Sequence, residues 1–394
     1  MKWLRLLPFP LLAVGVVFAL PGIFPPKDFT EYWSAARVLA TGGDPYNGAE
    51  LLPVQREALD NPMLDKAVSL WTPPWTLPLY APLGYLPYTV ARWVWLFAQL
   101  TLLFLSVELL WRTYGGPAKW WYAPHLVAFA FAPTFWMAHY GQNTAFLLLG
   151  LAGLLHFRNT LPTVAGFFVA LTAIKPHLLA VVGVLLVMDA FRDRGWRVLL
   201  GGVFMLGVGS AVAVLFHGQI FQHFIEAATR PTTAETVSLK DWELPLISYD
   251  IRQVIDADNF KIQFVPCAVA CLFMAIHRLI QRKTWDWTEQ LPAAVLVSCL
   301  YAPYGGWIFD LVVLLVPAVQ LVARAKGMIG WALVVAMVLL NVAAIRPLDL
   351  HQFGWYAVAM GVVWVVGCVS SRRAGASLGD VLPGSLPLAA KTSR

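Results

Sequence analysis

Apolar runs long enough to cross a bilayer recur from one end of this 394-residue chain to the other. A hydrocarbon layer of about 30 Å is crossed by roughly 17–25 helical residues. Inside it every backbone polar group must find its partner within the protein. A soluble core does not explain the pattern, because a core needs a solvated shell. Only 13% of the residues are charged, against roughly 25% in soluble domains. The chain therefore reads as an all-α polytopic membrane protein.

The apolar runs predict about twelve transmembrane helices, near 4–24, 88–111, 120–138, 143–157, 161–174, 177–191, 196–217, 262–280, 288–304, 308–323, 328–345 and 353–370. Lys2 and Arg5 ahead of the first run resemble a signal peptide, but no small-x-small cleavage site follows, so the run reads as an uncleaved span. With a cytoplasmic N-terminus, the short inner loops hold Arg112 and Lys119, Arg158, Arg192 with Arg194 and Arg197, Arg278 with Arg282 and Lys283, Arg324 and Lys326, and Arg372 with Arg373. The short outer connections hold Lys175, none around Gly305, and Arg346. That alternation follows the positive-inside rule and places both termini in the cytoplasm. Residues 1–372 then form a single transmembrane domain, and 373–394, rich in Gly, Ser, Pro and Ala, form a disordered cytoplasmic tail.

Two long polar segments, 25–88 and 218–261, fall outside in this arrangement. Sixteen of the 22 acidic residues lie on that outer side, most of them in these two loops. In the first loop, Phe29, Tyr32, Trp33, Ala36 and Leu39–Ala40 mark one face of an amphipathic helix, lying on the membrane surface or against the bundle. Pro73–Pro74, Pro78, Pro82 and Pro87 rule out a regular span there and predict a re-entrant or interfacial hairpin beside a pocket.

Several polar residues stand out against this background. Asp28 follows the first span and is either a helix N-cap or a general base, with Glu31 as the competing carboxylate. Lys175, before Pro176, either snorkels to the surface or faces the bundle to bind an anion such as a lipid phosphate. His139, Tyr140, Gln142 and Asn143 join two spans almost without a loop, and suit either helix ends or sugar hydroxyls. Asp310 lies inside an apolar run, where a carboxylate costs about 2.5–3.5 kcal/mol at a helix centre, so Lys175 or Arg346 is expected to partner it. In the second loop, Arg230, Lys240, Asp241, Glu243, Asp250 and Arg252 are either phosphate or acceptor contacts or simply solvated charges.

Other chemistries are poorly served. The net charge of +6 punctuates the apolar runs instead of forming a patch, so nucleic acid is not an expected partner. The four cysteines sit in apolar runs without metal-ligand spacing, and the eight histidines are scattered. Neither a metal nor a cofactor is expected.

These features together resemble the polyprenol-phosphate-mannose-dependent glycosyltransferases of family 87, of the GT-C class. The likeness is carried by Asp28-Phe29 with Tyr32, by Ala35-Ala36 and by Gly43-x-Pro45-Tyr46. It continues in Pro73-Pro74 with Pro82-Leu83 and Leu86-Pro87, in Gly141-Gln142-Asn143, in Lys175-Pro176, and in Trp307-x-x-Asp310 before Pro317. The resemblance implies a GT-C-like bundle in the plasma (inner) membrane with an extracytoplasmic active site and Asp28 as catalytic base. Its donor would be a polyprenyl-phosphate sugar, with mannose or another hexose or pentose inverted on transfer to a glycan or glycolipid acceptor. Glu31, Tyr32, Lys175, His139, Gln142, Asn143, Asp310, Arg230 and Arg346 are the expected substrate contacts. The main alternative is a transporter or a flippase for lipids or lipid-linked sugars, although such proteins favour midplane sites and internal repeats.

Overall fold

A computed structural model describes residues 28–191, 195–233, 236–346 and 349–379, with the side chains of 239, 350, 351 and 371–379 left aside. The architecture is all-helical, with no strand among the described residues. Among the described residues four helices are long and apolar enough to cross a membrane: Tyr88–Thr113, Gly195–Phe216, Phe260–Ile280 and Gly327–Ala344. Three of them turn large apolar side chains outward, including Phe204, Leu272, Phe273, Leu339 and Val342. Water would not tolerate such contiguous faces; lipid does. This is an integral membrane protein.

The remaining predicted spans are less regular. Pro162–Ile174 and Pro176–Ala190 pass the same length and composition test only as a pair, bent by 118° at Lys175. The pair is therefore one broken span or a re-entrant loop, not two separate crossings in its own right. The cause is local: the proline ring disfavours α geometry at the preceding residue, and Lys175 sits at φ −130°, ψ 72°. The run 120–138 is two short helices, Ala123–Phe129 and Ala132–Tyr140, instead of one. Asn341 Oδ1 accepts from the Ala132 N–H at 2.7 Å and so caps the break from a distant helix. The run 308–323 starts as a tight 3₁₀ stretch, Ile308–Leu314, before the α-helix Leu315–Arg324. The span expected over 4–24 lies outside the described residues. The last helix runs on to Gly379, past the point where the sequence places the start of the tail.

The amphipathic helix forms over Phe29–Ala40 and is buried on nearly every side, with only Arg37 exposed. Of its two predicted placements it takes the one against the protein body. Its Phe29, Tyr32 and Leu39 pack with Leu51, Leu77, Tyr80, Leu83 and Trp95 in a core separate from the main bundle. The proline-rich stretch forms three short turns, Pro74–Thr76, Leu77–Tyr80 and Ala81–Tyr85, each beginning at or beside a proline. Proline is tolerated in a first helical turn, so spaced prolines yield a chain of first turns. Gly84 brings this chain close against the backbone of Ala36.

Candidate active site

Three breaks in the helices meet at one place. The first is Gly141, which ends Ala132–Tyr140 in the left-handed region at φ 72°. The Gln142 N–H closes the turn onto Met137 O at 3.0 Å. A Cβ on Gly141 would also meet the Phe29 Cβ at 2.6 Å, so the glycine is needed both for its backbone angle and for the contact. Through that contact the start of the amphipathic helix docks on the turn, with the Asp28 N–H donating to Tyr140 O at 3.1 Å. Gly141→Ala is expected to strain the αL position by about 1–2 kcal/mol and to push Phe29 away. It should lower both Tm and activity; a variant with wild-type Tm would contradict this docking role.

Asp28 occupies the N-cap position, yet its side chain makes no capping hydrogen bond. Its Oδ2 instead accepts from Gln142 Nε2 at 2.7 Å. The Gln142 Oε1 accepts from two donors, Tyr32 Oη at 2.9 Å and Lys175 Nζ at 2.8 Å. Those partners fix which way the amide points. Lys175 Nζ donates in turn to Asp310 Oδ1 at 2.6 Å. Asp310 is 1% exposed, and an ammonium within ion-pair distance is what makes a buried carboxylate tolerable. The result is a continuous chain, Asp28–Gln142–Lys175–Asp310, in which one amide separates the half-buried Asp28 carboxylate from the lysine ammonium.

Asp310 reaches this chain because Gly305 and Gly306 both adopt positive φ just before the 3₁₀ stretch. A Cβ on Gly305 would stand 3.0 Å from His177 Nε2 and 3.3 Å from Asp310 Oδ2, so a larger residue there would crowd the site. Lys175 also lies over the Phe309 ring at 5.5 Å.

Glu31 is buried under the cluster at 7% exposure. Burial first, and then the neighbouring Asp28 carboxylate, push its carboxyl well above the ordinary 4.5. A group whose folded value is raised contributes stability that is complete below the unfolded value and lost as pH rises through the folded one. Glu31→Gln should therefore gain stability relative to wild type as the pH is taken from 5 to 9. Parallel Tm curves for the two proteins over that range would disprove the raised value.

The predicted residues divide clearly. Asp28, Tyr32, Gln142, Lys175 and Asp310 form one hydrogen-bonded cluster, with Glu31 beneath it. Asn143 is fully buried and donates to Tyr80 Oη at 2.8 Å, and Tyr80 stacks on Tyr32 at 4.8 Å. His139 stacks on Phe135, one turn back from the cluster. Arg230 closes the helix Ile220–Thr229, and Arg346 lies exposed beyond Gly327–Ala344. Among the described residues neither arginine is joined to the cluster by a hydrogen bond or ion pair. Asp310 thus pairs with Lys175, the first of its two expected partners.

Sequence reasoning did not single out Tyr80, His177 or Tyr304. The His177 and Tyr304 rings meet at 5.5 Å beside Asp310. Trp242, from the second long segment, packs on Tyr304 and Trp307 at 6.2 and 6.1 Å and brings that segment over the cluster. Tyr80 lies in the proline-rich stretch already expected to border a pocket, and His177 follows Lys175-Pro176; position was the available signal for both.

Neither a curated protein nor a solved structure matches the chain. The sequence model of glycosyltransferase family 87 matches residues 71–303. That stretch includes Tyr80, Gln142, Asn143 and Lys175, while Asp28, Tyr32 and Asp310 join the cluster from either side of it. A match over more than half of the sequence, carrying the middle of the cluster, is decisive: the chain belongs to glycosyltransferase family 87.

Proposed function

We propose that the protein is an inverting transferase that moves a sugar, mannose or another hexose or pentose, from a polyprenyl phosphate to a glycan or glycolipid acceptor. The observation that carries this reading is the Asp28–Gln142–Lys175–Asp310 chain, which sets a carboxylate and an ammonium on either side of one fixed amide. Asp28 takes the proton from the acceptor hydroxyl as its oxygen bonds to the anomeric carbon. The bond from that carbon to the phosphate oxygen breaks on the opposite face, so the configuration inverts. The transition state is oxocarbenium-like, as in glycoside hydrolysis. The departing polyprenyl phosphate needs charge stabilisation more than a proton, and a preorganised cation supplies it. Lys175 is that cation, and Asp310 and Gln142 hold it in place.

The other carboxyls suit the role less well. Asp310 is buried against Lys175, and Glu31 is buried with a raised protonation range. Asp28 is half-buried and so keeps a route to solvent for its proton.

The reading places the cluster on the extracytoplasmic side of the plasma (inner) membrane, with cytoplasmic termini and a GT-C-like bundle of about twelve crossings. The short and bent helices are counted as tilted or interrupted spans. The isoprenoid tail lies along the apolar outer faces. An assay with purified protein, a labelled polyprenyl-phosphate sugar and a panel of glycan acceptors tests the reading. The expected product is a glycoside of opposite anomeric configuration. Retention of configuration would remove Asp28 as a simple base, and translocation of the intact donor without transfer would favour a flippase.

A further inference from the structure

A second polar cluster lies at the far end of the same helices. The helix Thr144–Phe157 leaves Asn143 and ends at Arg158, and its 14 residues put about 21 Å between them at the helical rise. Pro176–Ala190 likewise runs from beside Lys175 to Asp189, and Trp287–Leu300 has its far end at Trp287. There Asp189 bridges two arginines, accepting from Arg158 Nη2 on one oxygen and from Arg278 Nη2 at 2.8 Å on the other. Each guanidinium also lies over a tryptophan ring, Arg158 on Trp287 at 5.0 Å and Arg278 on Trp285 at 4.8 Å. These groups line a cavity of about 650 Å³ together with Arg282, Asp286 and Gly195, the first residue of Gly195–Phe216.

We propose that this cavity binds the phosphate group of an anionic membrane lipid. The charge balance favours an anion, with three guanidiniums against two carboxylates among the described lining residues. One of those carboxylates, Asp286, is already engaged in capping the Thr288 N–H at 2.8 Å. Arg278 is 5% and Arg158 17% exposed, and among the described residues neither Arg278 Nε nor Arg158 Nη1 has a hydrogen-bond partner. The planar arginine fork matches phosphate oxygens well. The start of a 22-residue helix adds positive partial charge at the wall. The volume falls in the range of roughly 300–1,000 Å³ typical of small-molecule sites, so there is room for a headgroup around the phosphate. Trp285 and Trp287 lie in and just after the connection that follows the membrane-length helix Phe260–Ile280, and tryptophan suits the headgroup level of a bilayer. The outward apolar side chains Leu279, Ile280 and Trp196 give acyl chains a surface nearby. Asp189, held between two arginines, is poorly placed to act as a base, so the cavity is a binding site and not a second reaction centre.

The test uses the full chain in neutral detergent, titrated with inorganic phosphate, with dihexanoyl phosphatidic acid and with dihexanoyl phosphatidylcholine. Thermal unfolding and tryptophan fluorescence are followed together, since Trp285 and Trp287 line the cavity. Phosphatidic acid is expected to raise Tm and change the fluorescence, and phosphatidylcholine to do neither. Arg282→Gln, an exposed position on the cavity wall, should keep its own Tm and weaken phosphatidic acid binding about tenfold. A response to inorganic phosphate as well would identify phosphate itself as the recognised group; a response to phosphatidic acid alone would support a site that needs the lipid. The proposal is overturned if neither anion has an effect, or if Arg282→Gln responds as wild type does. Because no sugar transfer is measured, either outcome leaves the transferase reading to its own assay.

Discussion

Asp28→Asn is expected to lower the transfer rate by about 10²–10⁴-fold, the range that general-base catalysis supplies, with the donor KM changed little. The asparagine keeps the size of the side chain and can still hydrogen-bond Gln142, so Tm should stay close to wild type. That combination separates a catalytic carboxylate from a structural one. The geometry already argues against a capping role, because the side chain turns away from its own helix to Gln142. A folded Asp28→Asn protein that transfers sugar at the wild-type rate would exclude Asp28 as the base. Glu31→Gln serves as the control: its carboxyl is buried with a raised range, so its loss should alter the pH dependence of stability far more than the rate.

The second large effect concerns the Lys175–Asp310 pair. Removing one partner of a buried ion pair leaves an uncompensated charge and costs about 3–5 kcal/mol, whereas replacing both partners is often close to neutral. Lys175→Met and Asp310→Asn should each destabilise the protein strongly, and the double variant should recover much of that loss. Activity should follow a different rule. The double variant lacks the cation that meets the departing phosphate and stays inactive even where it is stable. A stable double variant with substantial transfer would reduce the pair to a purely structural role.

The long apolar helices were readily legible from sequence. The predicted spans 88–111, 196–217 and 328–345 compare with Tyr88–Thr113, Gly195–Phe216 and Gly327–Ala344, because an uninterrupted apolar run has few alternatives to a helix. Interrupted runs were harder. The break before Ala132 depends on a cap from Asn341, more than two hundred residues away, and local composition holds no trace of it. The 118° bend at Lys175 was half visible: Pro176 announced an interruption without giving its angle.

The same distinction governs the site. Asp310 and Lys175 were conspicuous because charges inside apolar runs require partners, and they found each other. Arg230 and Arg346 carried no comparable demand, since a loop cation can be satisfied by water, and neither joins the cluster. The Arg158–Asp189–Arg278 bridge went unremarked for the opposite reason: loop arginines already had an explanation in membrane topology. Tyr80 was concealed by its setting, where the prolines drew attention to the backbone and not to the phenol that Asn143 meets.

The most direct test of the catalytic cluster is a structure of the full chain with a non-transferable donor, a polyprenyl phosphonate of the sugar. The account predicts a phosphonate oxygen within hydrogen-bond reach of Lys175 Nζ, about 3.5 Å or less, and the anomeric carbon facing Asp28. A sugar bound with its anomeric carbon away from Asp28, and with no phosphonate contact to Lys175, would contradict it.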